Sequence, residues 1–274
     1  MQIQDFERTT RRVETPCGDG TLVWRAWGSG PPVVLAHGSH GAWSHWIRNI
    51  EALAIGRTVW VPDLPGYGES AMAPSVDHET IAAVLAAGLH QLLEPLASPD
   101  FVGFSFGGVV AAHLAVKHPD LVRRLILVGT GGLNTPLGDI RLTRIRGLEG
   151  EARRAVNRDN LLALMLHNPA SVDELALQIH ALNGSRARLD PISLVLPDKL
   201  LQALPGIKAP VDAIWGEHDR PHPDPHVQEA VLRQYFPRLD FRVIAGAGHW
   251  AMYEQPAEFN RVLGELLDAP LRLR

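Results

Sequence analysis

Only one cysteine, Cys17, occurs in the 274 residues. A lone thiol cannot close an internal disulfide, so the fold must be held by its core, and nothing points to secretion. Cys17 lies between Pro16 and Gly18 in a turn-like setting without a neighbouring histidine, which argues against a nucleophilic thiol. Long hydrophobic runs are missing as well. The longest apolar stretch, Ile81 to Leu89, is too short to span a bilayer. The polar start Met1-Gln2-Ile3-Gln4-Asp5 lacks the apolar segment of a secretory signal. A cytoplasmic protein with no membrane partner is therefore expected. Positive charge is not in excess: the formal net charge is −4, which excludes the basic face of a nucleic-acid binder. The densest basic stretch, Arg141 to Arg158, is broken by Glu149, Glu151 and apolar residues. No internal repeat or low-complexity tract occurs.

What is present is a core-forming composition, 46% hydrophobic and 20% charged, suited to one large core or a core with an insertion. Short apolar runs read as buried strands: Val33–Ala36, Thr58–Val61, Phe101–Gly103, Leu125–Val128, Val211–Trp215 and Phe241–Ile244. Thr21–Trp27 reads as an outer strand. Helical stretches fall between them: Ala42–Leu53, Asp77–Leu93 with Asp77 as N-cap and Pro95 beyond its end, the run after Gly107, Pro225–Tyr235 and Pro256–Leu267. Strand alternating with helix marks an α/β fold with a mostly parallel sheet flanked by helices. Between Leu133 and Leu204 the pattern changes to helices at Ile140–Val156, Asp159–His167 and Val172–Leu182, with one short apolar run at Leu194-Val195-Leu196. Residues 1–132 and 205–274 thus read as the core domain, and 133–204 as a helical cap inserted in it.

The organising stretch is Gly103-Phe104-Ser105-Phe106-Gly107, a strand, sharp turn and helix with serine at the apex. Side chains at Gly103 and Gly107 would collide in so tight a turn. The reward is a hydroxyl held clear of the sheet at a helix N-terminus, where developing negative charge is favoured. A serine hydroxyl is a poor nucleophile at neutral pH; it needs a base, and the base needs an orienting anion. Asp219 and His249 follow in that order, each one loop past a predicted strand. Glu217 and Asp224 compete with Asp219 for the acidic role. Gly246 and Gly248 free the loop that carries His249. His40 and His45 lack a partner cluster, so no metal is expected.

The stretches His37-Gly38-Ser39, Asp63-Leu64-Pro65-Gly66-Tyr67-Gly68-Glu69-Ser70, Gly103-Phe104-Ser105-Phe106-Gly107-Gly108, Gly216-Glu217-His218-Asp219 and Gly246-Ala247-Gly248-His249-Trp250 carry a resemblance. Over essentially its whole length the chain resembles the α/β-hydrolase superfamily, in its carboxylesterase and meta-cleavage-product (C–C bond) hydrolase branch. The resemblance implies Ser105 as nucleophile, Asp219 as orienting acid, His249 as base, and the backbone N–H groups of Ser39 and Phe106 as oxyanion hole. It implies no cofactor, and it makes Asp63 a shaping residue. His37, Gly38, Phe104, Arg188 and Trp250 are expected to contact substrate, with Arg188 or Arg186 meeting a substrate carboxylate if the reaction is C–C cleavage. Two departures from that C–C branch stand out: Phe104 replaces its usual Asn before the nucleophile, and Ser39-His40-Gly41 replaces its Gly-Pro-Gly-rich loop. Both make the pocket less polar and favour a small-molecule ester with an apolar acyl group. C–C hydrolysis is the alternative, and a non-catalytic small-molecule receptor the rival from another class. Assembly into a homo-oligomer is left open.

Overall fold

The computed structural model describes residues 3–94 and 97–272. Met1, Gln2 and Pro95 lie outside the described residues. One eight-stranded sheet runs through the molecule. Its strands are β1 (Arg11–Cys17), β2 (Gly20–Trp27), β3 (Pro32–Ala36), β4 (Thr58–Pro62), β5 (Asp100–Phe104), β6 (Arg124–Val128), β7 (Val211–Gly216) and β8 (Phe241–Ile244). They lie in the order β1-β2-β4-β3-β5-β6-β7-β8. β2 pairs antiparallel with β1 and with β4, and every other pairing is parallel. The chain reverses tightly between β1 and β2, which permits only an antiparallel pair, whereas parallel neighbours need long crossovers. Every residue of β5, β6 and β7 is buried, as their continuous apolar sequences require. Alternate residues feed two cores. Val34, Phe101, Leu125 and Leu127 join one, and Val33, Leu35, Val102 and Ile126 join the other.

The crossovers and ends carry helices α1 (Ile3–Thr9), α2 (Ile50–Ala54), α3 (His78–Leu92) and α4 (Phe106–Lys117). Four more, α5 (Gly150–Leu164), α6 (Glu174–Arg186), α7 (Ile192–Val195) and α8 (Lys199–Ala203), lie between β6 and β7. α9 (Pro225–Tyr235), α10 (Ala251–Glu254) and α11 (Pro256–Asp268) complete the chain. Asp77 caps α3, its Oδ1 accepting from the Thr80 N–H at 2.7 Å. α4 is apolar on nearly all sides because it is buried on nearly all sides.

Several elements differ from expectation. Thr21–Trp27 is an inner strand, because β1 pairs outside it. β1 is Arg11-Arg12-Val13-Glu14-Thr15-Pro16-Cys17, largely polar as an edge strand facing water can be, so no apolar run marks it. The stretch from Ala42 to Leu53 is not one helix but a 3₁₀ turn, Trp43–Trp46, followed by α2. The Trp43 N–H is drawn aside by Asp63 Oδ1 at 2.9 Å. The expected helix from Ile140 begins only at Gly150, since Gly147 and Gly150 have φ of +82° and +53°, which a continuous right-handed helix cannot hold. Leu194 and Val195 end a short helix rather than form a strand.

Candidate active site

The sheet order places the carboxyl ends of β3, β5, β6, β7 and β8 side by side, and the loops beyond them carry Ser39, Ser105, Gly129, Asp219 and His249. β5 ends at Phe104 and α4 begins at Phe106, so one residue makes the whole turn. That residue, Ser105, has φ +50° and ψ −117°. A non-glycine residue in the left-handed region is strained and persists only where its surroundings hold it. Here the Ser105 N–H donates to the Val128 carbonyl at 2.8 Å, and the Ser105 carbonyl accepts from the Gly108 N–H at 3.0 Å. The turn also needs room: a Cβ on Gly103 would lie 2.4 Å from the Gly108 Cα.

His249 Nδ1–H donates to Asp219 Oδ2 at 2.8 Å, and both groups are buried. The other oxygen, Asp219 Oδ1, accepts from the backbone N–H of His222 at 3.0 Å and from its ring Nδ1–H at 3.2 Å. Burial pushes the Asp219 carboxyl up, but the imidazoles of His249 and His222 outweigh it and hold the carboxyl well below its ordinary range. The His249 ring packs against Phe104, the residue before the serine, with centroids 4.9 Å apart. Ser105 is half-buried and lines a cavity of about 450 Å³. Among the described residues its hydroxyl makes no hydrogen bond. Ser39, Gly131, Leu137, Ile140, Leu164, Ile192, Val195 and His222 line the same cavity.

Each residue expected at the site has a definite place. Ser39 lies on the cavity wall, and Phe106 is the first residue of α4, where an amide has no partner inside the helix. Among the described residues neither amide donates to a backbone carbonyl. Glu217 accepts from the Gly246 N–H and Asp224 caps α9, which leaves Asp219 as the acid that meets His249. Asp63 braces its loop, bound by Arg25 and by the N–H groups of Trp43 and Glu69. His218 stacks on His167 at 3.7 Å.

The structure places the expected substrate contacts off the wall of this cavity. His37 is fully buried with both ring nitrogens engaged: Nδ1–H donates to the Gly38 carbonyl at 2.8 Å and Nε2 accepts from the Leu64 N–H at 2.9 Å. It holds the loop of Ser39 in place. Burial pulls its pKa down, as that neutral tautomer requires. Gly38 is buried and leaves room for Phe104 and Ser105. Phe104 packs in the core against Trp46, His45 and His249. Trp250 is buried, donates to the His45 carbonyl at 2.9 Å and stacks on Tyr253. Arg188 is exposed and turned to the Ser70 and Arg186 carbonyls, while its own N–H donates to the Gly66 carbonyl at 2.9 Å. Arg186 pairs with Glu69. None of these side chains lines the cavity. Burial and backbone partners, which no local pattern encodes, reassign them.

Two residues were not expected. His222 makes two of the three hydrogen bonds to the Asp219 carboxylate, and its only local signal is a histidine three positions beyond the acid. Glu254 is buried and gathers the N–H groups of His167, Asn168 and Gly248, at 3.0, 2.6 and 2.7 Å. It ties the loop of His249 to the end of α5, with no motif to announce it. Asp219, His222 and His249 form the one group among the described residues that brings three metal-ligating atoms within 4.8 Å. Each ring faces its own Asp219 oxygen through a hydrogen bond, and that bonding accounts for the cluster.

A strained serine between strand and helix, beside a buried carboxylate–imidazole pair on a mostly parallel sheet, defines a hydrolase of the α/β type. The chain belongs to the alpha/beta hydrolase family, whose model matches residues 33–262. It is 28% identical over 252 residues to a 2-hydroxymuconate semialdehyde hydrolase of Pseudomonas sp. (strain CF600), covering 88% of each chain. It is 40% identical to a pimeloyl-[acyl-carrier protein] methyl ester esterase of Vibrio atlanticus (strain LGP32), over 110 residues that make up 40% of each chain. A solved structure, the naproxen esterase of Bacillus subtilis, shares the fold with a TM-score of 0.77 at 18% identity, covering 94% of this chain and 92% of that one. Both ester and C–C hydrolases therefore stand among its relatives. Among the described residues no helix is long and apolar enough to cross a membrane.

Proposed function

We propose that the chain hydrolyses small carboxylic esters through an acyl-enzyme. Ser105 Oγ attacks the ester carbonyl while His249 Nε2 takes its proton, with Asp219 holding the ring through Nδ1. The oxyanion that forms meets the amides of Ser39 and Phe106. His249 then passes the proton to the leaving alcohol, and a water activated by the same base releases the acid and restores Ser105. Residues 133–204 act as a cap, since Leu137, Ile140, Leu164, Ile192 and Val195 from that segment wall the cavity. The observation that carries this reading is the Ser105 hydroxyl on a cavity walled mainly by apolar side chains, with His249, bonded to Asp219, packed on the adjoining Phe104.

The 2-hydroxymuconate semialdehyde hydrolase likeness favours a second reading, cleavage of a C–C bond in a vinylogous diketone acid. Against it stands the lining, which among the described residues holds no Arg or Lys to meet a substrate carboxylate, with Arg188 engaged elsewhere. Short-chain p-nitrophenyl esters should give a burst of p-nitrophenol followed by turnover, and Ser105→Ala should lower kcat by at least about 10³-fold. A specificity constant far higher for a diketone acid than for any ester would put the second reading first. No turnover of either class, with tight ligand binding retained, would make the protein a receptor.

A further inference from the structure

The ring of His222 faces two ways. Its Nδ1–H is committed to Asp219 Oδ1, while the residue also lines the cavity that holds Ser105. A carboxylate can only accept, so the proton of the neutral ring sits on Nδ1 and the lone pair on Nε2. Nε2 is directed toward Gly131, another wall residue: a Cβ there would come 3.4 Å from it and 3.0 Å from Val195 Cγ1. Glycine at 131 thus leaves the space before this nitrogen open. Nε2 has no hydrogen-bond partner among the described residues, yet it is not among their buried atoms that lack one, so it is open to the cavity. The wall near it is otherwise apolar: Leu137, Ile140, Ile192, Val195 and Leu196. One acceptor in an apolar wall orients a ligand by one polar group.

The hydrogen bond at Nδ1 fixes which group Nε2 reads. Asp219 supplies one negative charge, and His249 needs it when it becomes an imidazolium in the transition state. The Nδ1–H bond of His222 to Asp219 Oδ1 leaves Nε2 as the ring atom that can accept from the cavity. Building on the ester-hydrolase reading, we propose that His222 is a specificity residue whose Nε2 accepts a hydrogen bond from a hydroxyl carried by the substrate, so that hydroxylated acyl esters are preferred over their plain counterparts. A site built to bond a hydroxyl discriminates against the analogue that lacks it, because a desolvated acceptor is left without a partner.

The test separates binding from turnover. Wild-type turnover of ethyl hexanoate and of its hydroxylated analogues reports on the ester-hydrolase reading alone. Affinity for the same esters, hydroxylated at successive carbons, is then measured by calorimetry on Ser105→Ala. At least one positional isomer should bind about 10-fold or more tightly than the plain ester. In Ser105→Ala/His222→Asn the Asn amide can still donate to Asp219, but nothing replaces Nε2, and the ratio should fall toward one. His222→Phe in the same background keeps the ring and should also lose the ratio; it guards against misfolding of the first variant. A ratio near one for every isomer before His222 is changed, or a ratio that survives both substitutions, overturns the inference whether or not the wild type turns esters over.

Discussion

Ser105, Asp219 and His249 are far apart in the chain, and the roles proposed for them rest on single atoms. Asp219 Oδ2 accepts the Nδ1–H of His249, so the carboxylate selects the tautomer that leaves Nε2 free to take a proton. Asp219→Asn keeps the size but offers an N–H where an acceptor is needed, or flips the ring's tautomer. We expect kcat on a p-nitrophenyl ester to fall by about 10³- to 10⁴-fold, the scale seen for this change in serine proteases, with little change in KM. A loss under about tenfold in steady-state assays would remove Asp219 from its role. At this scale the turn at Ser105 and the pairing of Asp219 with His249 were legible in the sequence, because the turn residues around each are local. The direction of a side chain was not. Arg188 had the right charge and segment for substrate binding, yet backbone carbonyls of Ser70 and Arg186 take its guanidinium.

Among the elements, the join between α5 and the loop of His249 bears most on the site. Glu254, on α10, accepts from two amides just past α5 and from the Gly248 amide, and the Trp250 N–H donates to the Met165 carbonyl at 2.7 Å. A buried carboxylate holding several N–H groups is a strong clasp, since removing it leaves those donors desolvated and unpaired. Glu254→Ala should destabilise the protein by about 2–4 kcal/mol in urea unfolding. It should also lower kcat more than it raises KM, because the base loses its footing. Full stability in Glu254→Ala would show the clasp to be incidental. The strands were readable as apolar runs because both faces are buried. β1 was not, since an edge strand facing water needs no such run, and the helix expected from Ile140 was cut short by Gly147 and Gly150.

Taken whole, the molecule buries four of its 13 histidines, His37, His45, His222 and His249, and covers His78, His113 and His180 in part. Burial lowers the pKa of His37, His45, His78 and His180, and it lowers that of His113 to about 4, with the neighbouring His78 adding to the effect. His78 and His113 stack at 3.8 Å and donate to the Leu194 and Lys199 carbonyls, joining α3 and α4 to the segment between β6 and β7. Their folded pKa values lie below the ordinary 6.5, so the unfolded chain binds more protons as the medium turns acidic. The stability they contribute is complete above about pH 6.5 and is lost as the pH falls toward about 4. Tm should therefore drop between pH 7.5 and 5, and less steeply in His78→Phe/His113→Phe. A flat Tm over that range refutes the account.

The linear chain by itself determined the alternation of strand and helix, the mostly parallel sheet and the loops that carry Ser105, Asp219 and His249. Each of these follows from short-range patterns: apolar runs, turn glycines, a capping aspartate. Only the tertiary structure decided which side chains face the cavity. Burial turned His37, Phe104 and Trp250 into supports, and backbone partners drew Arg188 away. Loop geometry turned His222 onto Asp219 three positions before it, and folding brought Glu254 to the distant amides of His167 and Asn168. Local spacing does not encode the turn of a ring, and the distant contacts join residues scores of positions apart.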